Sequence, residues 1–366
     1  MAKKNNKTTN QNLKDEYKKK YASSKELSDA SKSDMSRASS IIPASALYES
    51  IRRSEKRMSS NSESVKNTQP IRGIIDWTNG STQGWDLLTS QSLPKPSFVG
   101  LLDTYGGAAA AYSLRRLSST YTGDAIRVRE SGGNTELDIG FDVNGDLDTT
   151  ALLAHCGAGD GFVVTKYDQS GNGHDLTQAT TSKQPKIVNS GALYTFNSKP
   201  YTLYDGIDDV LRSVSSPVFG TDPRSLFLVQ KTNVVGISGI FNLSADTGVA
   251  GRTWLITPEV ATRTNSVTWV SSTPASIINP SLISNIYTTG DLFAGNSMWL
   301  DGVSVARTSG NNGSVDSFDS SMTEGANGES FFHDGYISEV IIYKSNQTSN
   351  RDAIESNQAS YYGITL

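Results

Sequence analysis

Tyr167-Asp-Gln-Ser-Gly-Asn-Gly-His-Asp-Leu-Thr-Gln-Ala179 is the most specific pattern in this 366-residue chain. Asp168 can accept backbone N–H bonds in an Asx turn, and Gly171 and Gly173 permit positive φ on either side of Asn172. Such residues serve shape, so the stretch marks a fold and not a reaction. Working outward, Phe162-Val-Val-Thr-Lys-Tyr167 alternates as a strand does, and 125–129 alternates apolar and basic residues like an edge strand. Between them, Asp148-Thr-Thr-Ala-Leu-Leu-Ala-His155 opens on an N-cap aspartate and stops near Gly157, predicting a short helix. Further upstream, 108–119 (AAAAYSLRRLSS) reads as the best helix of the chain, after a Gly106-Gly107 break.

Downstream of Pro185 nearly everything reads as short strands with turns between: 193–196, 210–214, 225–230, 239–243, 253–256, 267–270, 297–300, 303–306 and 336–343. Regular short strands at this spacing predict an antiparallel β-sandwich or jelly roll. Hydrophobic residues make up 36% and charged residues 19%, enough for a sizeable core, and abundant Gly suits turns. Residues 97–366 are expected to fold as one unit. A separate piece of two short helices and two or three strands over 97–184 would bury too little surface without the strands of 185–366.

The charge is divided unevenly. Residues 1–69 hold 15 Lys/Arg against 8 Asp/Glu, a balance of +7, while the remainder stands at −11 to give the net −4. The basic piece is rich in Ser and Lys and cannot bury enough apolar surface to offset its ordering entropy. It reads as an anchoring arm, with helix-forming stretches at 13–27 and 44–58. The second places Ala44, Leu47, Tyr48 and Ile51 on one face, suited to a partner protein. Its basic residues are diluted by acids and serines, which argues against nucleic acid. Residues 70–96 form an adaptor with a turn at Thr78-Asn-Gly80, closed by Pro94-Lys-Pro96. No apolar run approaches membrane-spanning length, and the start lacks the apolar stretch of a secretory signal, so synthesis in a cytoplasm is expected.

Several parts of the chain resemble known families. The run Tyr112-Ser-Leu-Arg-Arg-Leu-Ser-Ser-Thr-Tyr-Thr-Gly-Asp124, then Ile126-Arg-Val-Arg-Glu130 and the 167–179 stretch, is similar to the N-terminal half of the arabinofuranosidase B catalytic domain. Met298-Trp-Leu-Asp-Gly-Val-Ser-Val305, and Gly335-Tyr-Ile-Ser-Glu-Val-Ile-Ile-Tyr343 through Tyr361-Tyr-Gly363, resemble the last strands of laminin-G-like jelly rolls. The block 147–162 resembles versions found in bacteriophage virion proteins. These resemblances imply a mainly β, concanavalin A-like jelly roll with a few short helices. They also imply a virion setting: a fibre or decoration subunit of head or tail, anchored by 1–69 to other virion proteins. It would display a lectin-like domain toward cell-surface carbohydrate, with assembly into oligomers left open.

The family's catalytic carboxylates are the test of activity. A retaining glycosidase needs two carboxyl groups ~5–5.5 Å apart. The resemblance places the nucleophile near Ile240-Phe-Asn-Leu-Ser-Ala-Asp246, where aspartate replaces glutamate and the family's cysteine pair is missing, since Cys156 is the single cysteine. The acid's turn corresponds to Glu324-Gly-Ala-Asn327-Gly, and Asn327 cannot donate the required proton. A gap of one or two residues brings Glu324 or Glu329 into that place. The expectation is therefore a protein that is not an enzyme and uses no cofactor, with glycoside hydrolysis of arabinofuranosidase type as the alternative. Asp246, Trp254, Trp269 and Asn327 are the candidate glycan-binding residues. No metal is expected. Asp142, Asn144, Asp146 and Asp148 have calcium-loop spacing with the glycine misplaced, and His155, His174 and His333 are scattered.

Overall fold

The chain divides into two units, Met1–Ser97 and Phe98–Leu366. The computed structural model describes residues 98–233, 238–243, 254–257, 261–263, 268–271, 279–288, 292–309, 315, 317, 321–328 and 330–366. The helices expected at 13–27 and 44–58 and the turn at 78–80 lie outside these residues.

The strands in chain order are β1 (Ala108–Ser113), β2 (Ile126–Glu130), β3 (Glu136–Ile139), β4 (Gly161–Lys166), β5 (Leu176–Thr177), β6 (Lys186–Asn189) and β7 (Ala192–Leu193). Then come β8 (Thr195–Phe196), β9 (Lys199–Pro200), β10 (Thr202–Asp205), β11 (Leu211–Ser213), β12 (Arg224–Thr232), β13 (Phe241–Leu243), β14 (Trp254–Thr257) and β15 (Ala261–Arg263). The last are β16 (Thr268–Ser271), β17 (Ser281–Tyr287), β18 (Asn296–Leu300), β19 (Val303–Ser304), β20 (Arg307–Ser309), β21 (Met322–Glu324) and β22 (Asp334–Tyr343). The helices are α1 (Leu101–Thr104), α2 (Thr149–Cys156), α3 (Leu292–Gly295) and α4 (Arg351–Tyr362). Among the described residues no helix is long and apolar enough to cross a membrane.

Antiparallel pairing traces two layers. The first runs β1-β22-β12-β17-β18-β19. The second runs β3-β2-β4-β5-β11-β21-β13-β14-β15-β16-β20. A corner joins them, because β10 pairs with β22 and touches β6, which pairs with β4. Between the layers lies the main core, with Leu226, Leu228, Ile337 and Val340 from one and Ile126, Val163, Leu211 and Phe241 from the other. Each fully buried side chain of this kind contributes about 1.5–3 kcal/mol.

The segment expected as the best helix is instead β1. The helix advantage of alanine is below ~1 kcal/mol per residue. The long apolar strand β22 needs a partner along its free edge, and small side chains fit there: Ala110 enters the main core while Ala111 packs with Leu101, Phe227 and Ile354 on the other side. The 125–129 strand is not an edge either, since β3 and β4 flank β2. The Asp148 helix forms as expected, its carboxylate accepting from the Ala151 N–H at 2.9 Å.

The 167–179 loop explains why β1 tolerates its position. Asp168 Oδ1 accepts from the backbone N–H of Ala111 (2.9 Å) and Ser170 (2.9 Å), and the Gln169 N–H donates to the Ala111 carbonyl. Asn172 Nδ2 reaches the carbonyls of Ala108 and Ala109. Gly171 and Gly173 both adopt positive φ. The motif thus caps the open edge of β1, which would otherwise invite another strand.

Elements that escaped the sequence reading include β10, β21, β17 and the last helix. Strand β17 is buried along its whole length although Ser281, Ser284 and Asn285 interrupt its apolar pattern. The end of the chain, expected as strand, is α4, which closes on Gly363 in the left-handed conformation. Its buried Ile354, Gln358 and Tyr362 recur at helical spacing and cover the first layer. There Glu339 of β22 accepts hydrogen bonds from Arg115, Ser113, Gln358 and Tyr362.

Candidate functional site

Strand register sorts the second layer into two rows of side chains. Residues directly opposite on paired strands share a face, and neighbours along a strand take the other. One row runs Ile139, Ile126, Lys166, Leu176 and then Leu211, Glu324, Phe241. It faces the core, and Lys166 and Glu324 are its two charged members. They find each other: Lys166 Nζ donates to Glu324 Oε1, which also accepts from the Tyr204 hydroxyl. Glu324 Oε2 is buried with no hydrogen-bond partner. Burial, with Glu324 alongside, pushes the Tyr204 hydroxyl well above its ordinary pKa. Gly325 follows with φ +88°, and a Cβ there would lie 2.2 Å from the Tyr204 ring. Glu324 therefore faces inward, its Oε1 held by Lys166 and Tyr204.

The opposite row is polar throughout its described side chains: Asp138, Arg127, Thr165, Thr177, Arg212, Thr323 and Asn242. The backbone register carries it on through Leu255, Arg263 and Thr268. At one end Arg127 meets Asp138 through two nitrogens at 2.8 and 2.7 Å, and the Tyr167 hydroxyl donates to Asp138 at 2.6 Å. The Arg127 contact holds the Asp138 carboxyl below its usual range. Burial, and then Asp138, raises the nearby Asp124. In the middle Arg212 donates to Ser321 Oγ at 3.0 Å. At the far end Thr323 donates to the Ala326 carbonyl and Asn242 Nδ2 donates to Asn327 Oδ1, both at 2.7 Å. Asn242 Oδ1 is buried without a partner, a state that costs about 1–3 kcal/mol.

Hydroxyls, amides and planar guanidinium groups spread over a pleated face can bind a polyhydroxylated ligand by many directed hydrogen bonds. The chemistry of glycoside cleavage asks for more. Asp138 is the single carboxylate among the row's described side chains, and Arg127 and Tyr167 already engage it.

Of the residues singled out from sequence, Asn327 stands at the Asn242 end of this row, in a turn where it bridges Ser330. Trp254 falls in the register row of Leu243 and Trp269 in that of Ile256 and Phe241, and neither falls in the row of Asn242. Asp246 and Glu329 lie outside the described residues. The calcium-like loop is occupied by its own turn: Asp142 Oδ1 accepts from the Asn144 and Asp146 amides, and Asp146 meets Lys199 and the Tyr361 hydroxyl. His155 contacts the Val128 carbonyl, His174 contacts Ser215, and burial pushes His333 down to about 3. Burial raises the Cys156 thiol to about 11, leaving it unreactive. The carboxylates of Asp205, Asp208 and Asp209 bring oxygen donors within 4.8 Å of one another. These hard donors suit a cation such as calcium, although Asp205 and Asp209 already accept amides of their own turn.

Sequence reasoning missed Arg127, Arg212, Thr323 and Asn242 because each lies on a strand of only three to five residues. Arg127 and Asn242 lie in stretches that carry the family likeness, but only pairing brings the four into line.

No protein-family model matches the chain, and no curated protein sequence matches it. Among solved structures, a GH54 α-L-arabinofuranosidase soaked with a cyclic sulfate inhibitor is similar at 15% identity with TM-score 0.53. An arabinofuranosidase complexed with arabinofuranosyl-α-1,2-xylobiose is similar at 15% identity with TM-score 0.52. Both likenesses cover 70% of this chain and 63% of the other, so the chain spans less than two thirds of those enzymes. At this identity they show the fold alone: the domain is a jelly-roll-like β-sandwich.

Proposed function

We propose that the domain binds carbohydrate without hydrolysing it, and that the basic arm fixes it to a larger assembly, in the manner of a virion fibre or decoration protein. The observation that carries the binding reading is the solvent-facing part of the polar row, Asp138, Arg127, Thr177 and Arg212, on the outer face of the second layer. A structural surface has no need for such an alignment of carboxylate, hydroxyl and guanidinium groups along one face. Titration of the full chain with neutral oligosaccharides, arabinofuranosyl-xylobiose among them, should give saturable binding. Arg212→Ala should weaken it at least ~10-fold, the loss of about 1.4 kcal/mol. If no member of the panel binds, the proposal fails.

Hydrolysis is the second reading, favoured by the activity of the similar enzymes. Incubation with 4-nitrophenyl α-L-arabinofuranoside should release no nitrophenol. Turnover that disappears in Asp246→Asn would replace binding by catalysis. The arm is tested apart from both: deleting residues 1–69 should remove the protein from purified particles and leave sugar binding intact.

A further inference from the structure

A cavity of about 190 Å³ opens between Phe98, the 144–146 turn and the end of α4. The turn fixes two consecutive arginines beside it. Arg115 forms an isolated bridge with Asp146, and the Arg116 N–H donates to the Gly145 carbonyl at 2.7 Å. Gly145 has φ +83°, and a Cβ there would lie 2.3 Å from the Phe98 ring, so the turn is shaped to admit that ring. The Arg116 guanidinium lies over the same ring, 4.1 Å from its centre. The space is smaller than the ~300–1,000 Å³ clefts that take drug-sized ligands, so it suits one charged group and not a whole oligosaccharide.

The charges around this cavity do not balance. Arg115 is matched: it is forked onto Glu339 through Nε at 2.7 Å and Nη2 at 2.9 Å, and it lies 4.5 Å from the centre of the Tyr361 ring. Asp146, the one carboxylate on the described lining, is matched too, by Lys199 at 3.1 Å and by the Tyr361 hydroxyl. The Arg116 side chain makes no ion pair or hydrogen bond with any described residue. Its Nε is buried, which leaves the two Nη groups as a fork presented end-on. Such a fork meets two oxygens of a carboxylate, sulfate or phosphate at once.

We propose that this cavity binds a small oxyanion, held end-on by the Arg116 fork with Phe98 behind it. The anion supplies the one negative charge that the surroundings lack. An acidic sugar would bring it as a carboxylate, and free phosphate or sulfate would bring it as the ion itself. The site shares no residue with the polar row and does not rest on it.

The test titrates the full chain with sodium glucuronate, phosphate and sulfate by calorimetry, at constant ionic strength and with chloride as the reference anion. At least one of the three should bind saturably. Arg116→Gln should weaken that binding at least ~10-fold, and Arg116→Lys, which keeps the charge but loses the fork, at least ~3-fold. Asp146→Asn gives a readout that a damaged fold does not mimic: removal of the lining carboxylate should tighten binding several-fold. Glucuronate among the bound anions admits an acidic sugar, and its absence restricts the site to free phosphate or sulfate. If none of the three binds to wild type, or if Arg116→Gln binds as tightly as wild type, the site is wrong. The neutral-sugar reading of the polar row then stands or falls on its own titration.

Discussion

Two ion pairs sit on opposite faces of one sheet. Lys166–Glu324 lies inside, with both side chains almost wholly buried, and Arg127–Asp138 lies outside, with each partner more than a third exposed. Both pairs draw on the same sheet, and β4 contributes Lys166 to the inner row and Thr165 to the outer one. Identical chemistry has different consequences on the two faces. Inside, each charge has lost its water and depends on its partner, so the pair constrains how the layers meet. Outside, water screens both groups and the pair can exchange partners with a ligand. The same sheet thus seals one ion pair inside its fold and leaves the other in contact with water.

The contrast is broken most severely from within. Glu324→Ala leaves Lys166 uncompensated and should cost about 3–5 kcal/mol in denaturant unfolding, enough to threaten the fold. The paired replacement Lys166→Met with Glu324→Leu should recover most of that loss, since two apolar side chains leave no charge unmatched. A single variant costing under ~1 kcal/mol would mean that water reaches the pair and that the inner row is not sealed.

An intermediate effect belongs to Asp209, at the end of the β10–β11 loop, where burial first and Asp205 second push its carboxyl up to about 7. A carboxyl whose folded pKa exceeds its unfolded value favours the fold when protonated. Stability from this group is therefore greatest in acid and declines as pH rises from about 4 to about 7. Asp209→Asn keeps an acceptor for the Asp205 amide. It should raise the melting temperature at pH 8, change little at pH 4, and flatten the slope between. A slope of unchanged steepness in the variant would assign the titration elsewhere.

The smallest effect is expected outside. Arg127→Ala removes a half-exposed partner of Asp138 and should change stability by no more than about 0–1 kcal/mol. A larger loss, measured by thermal melting at two salt concentrations, would make the outer pair structural and erase the difference between the faces.

The strength of local signals decided what could be read beforehand. The Asp148 cap, the turn at Asp168 and the apolar strand at 336–343 each carry their cause within a few residues, and each appears in the structure. Segment 108–119 misled because the cause of β1 lies more than two hundred residues away, in the free edge of β22. Strand β17 was invisible because its serines and asparagine, buried by neighbours on both sides, erase the alternation. Asn327 was singled out through the likeness of its turn, whereas the pairing that brings Asn242 to it is set by tertiary structure.

By itself the sequence determined an antiparallel sandwich of short strands, a basic arm of different character and a loop built for shape. These follow from composition, period and turn chemistry, which act over a few residues. Tertiary structure alone decided which face each polar residue took. Glu324 and Thr323 are adjacent in the chain, yet one is locked inside against Lys166 and the other stands in the outer row beside Arg212 and Asn242. A strand turns alternate side chains to opposite faces, so a single residue of register separates the inner ion pair from the outer polar row. That register is set by strands drawn from the whole length of the domain.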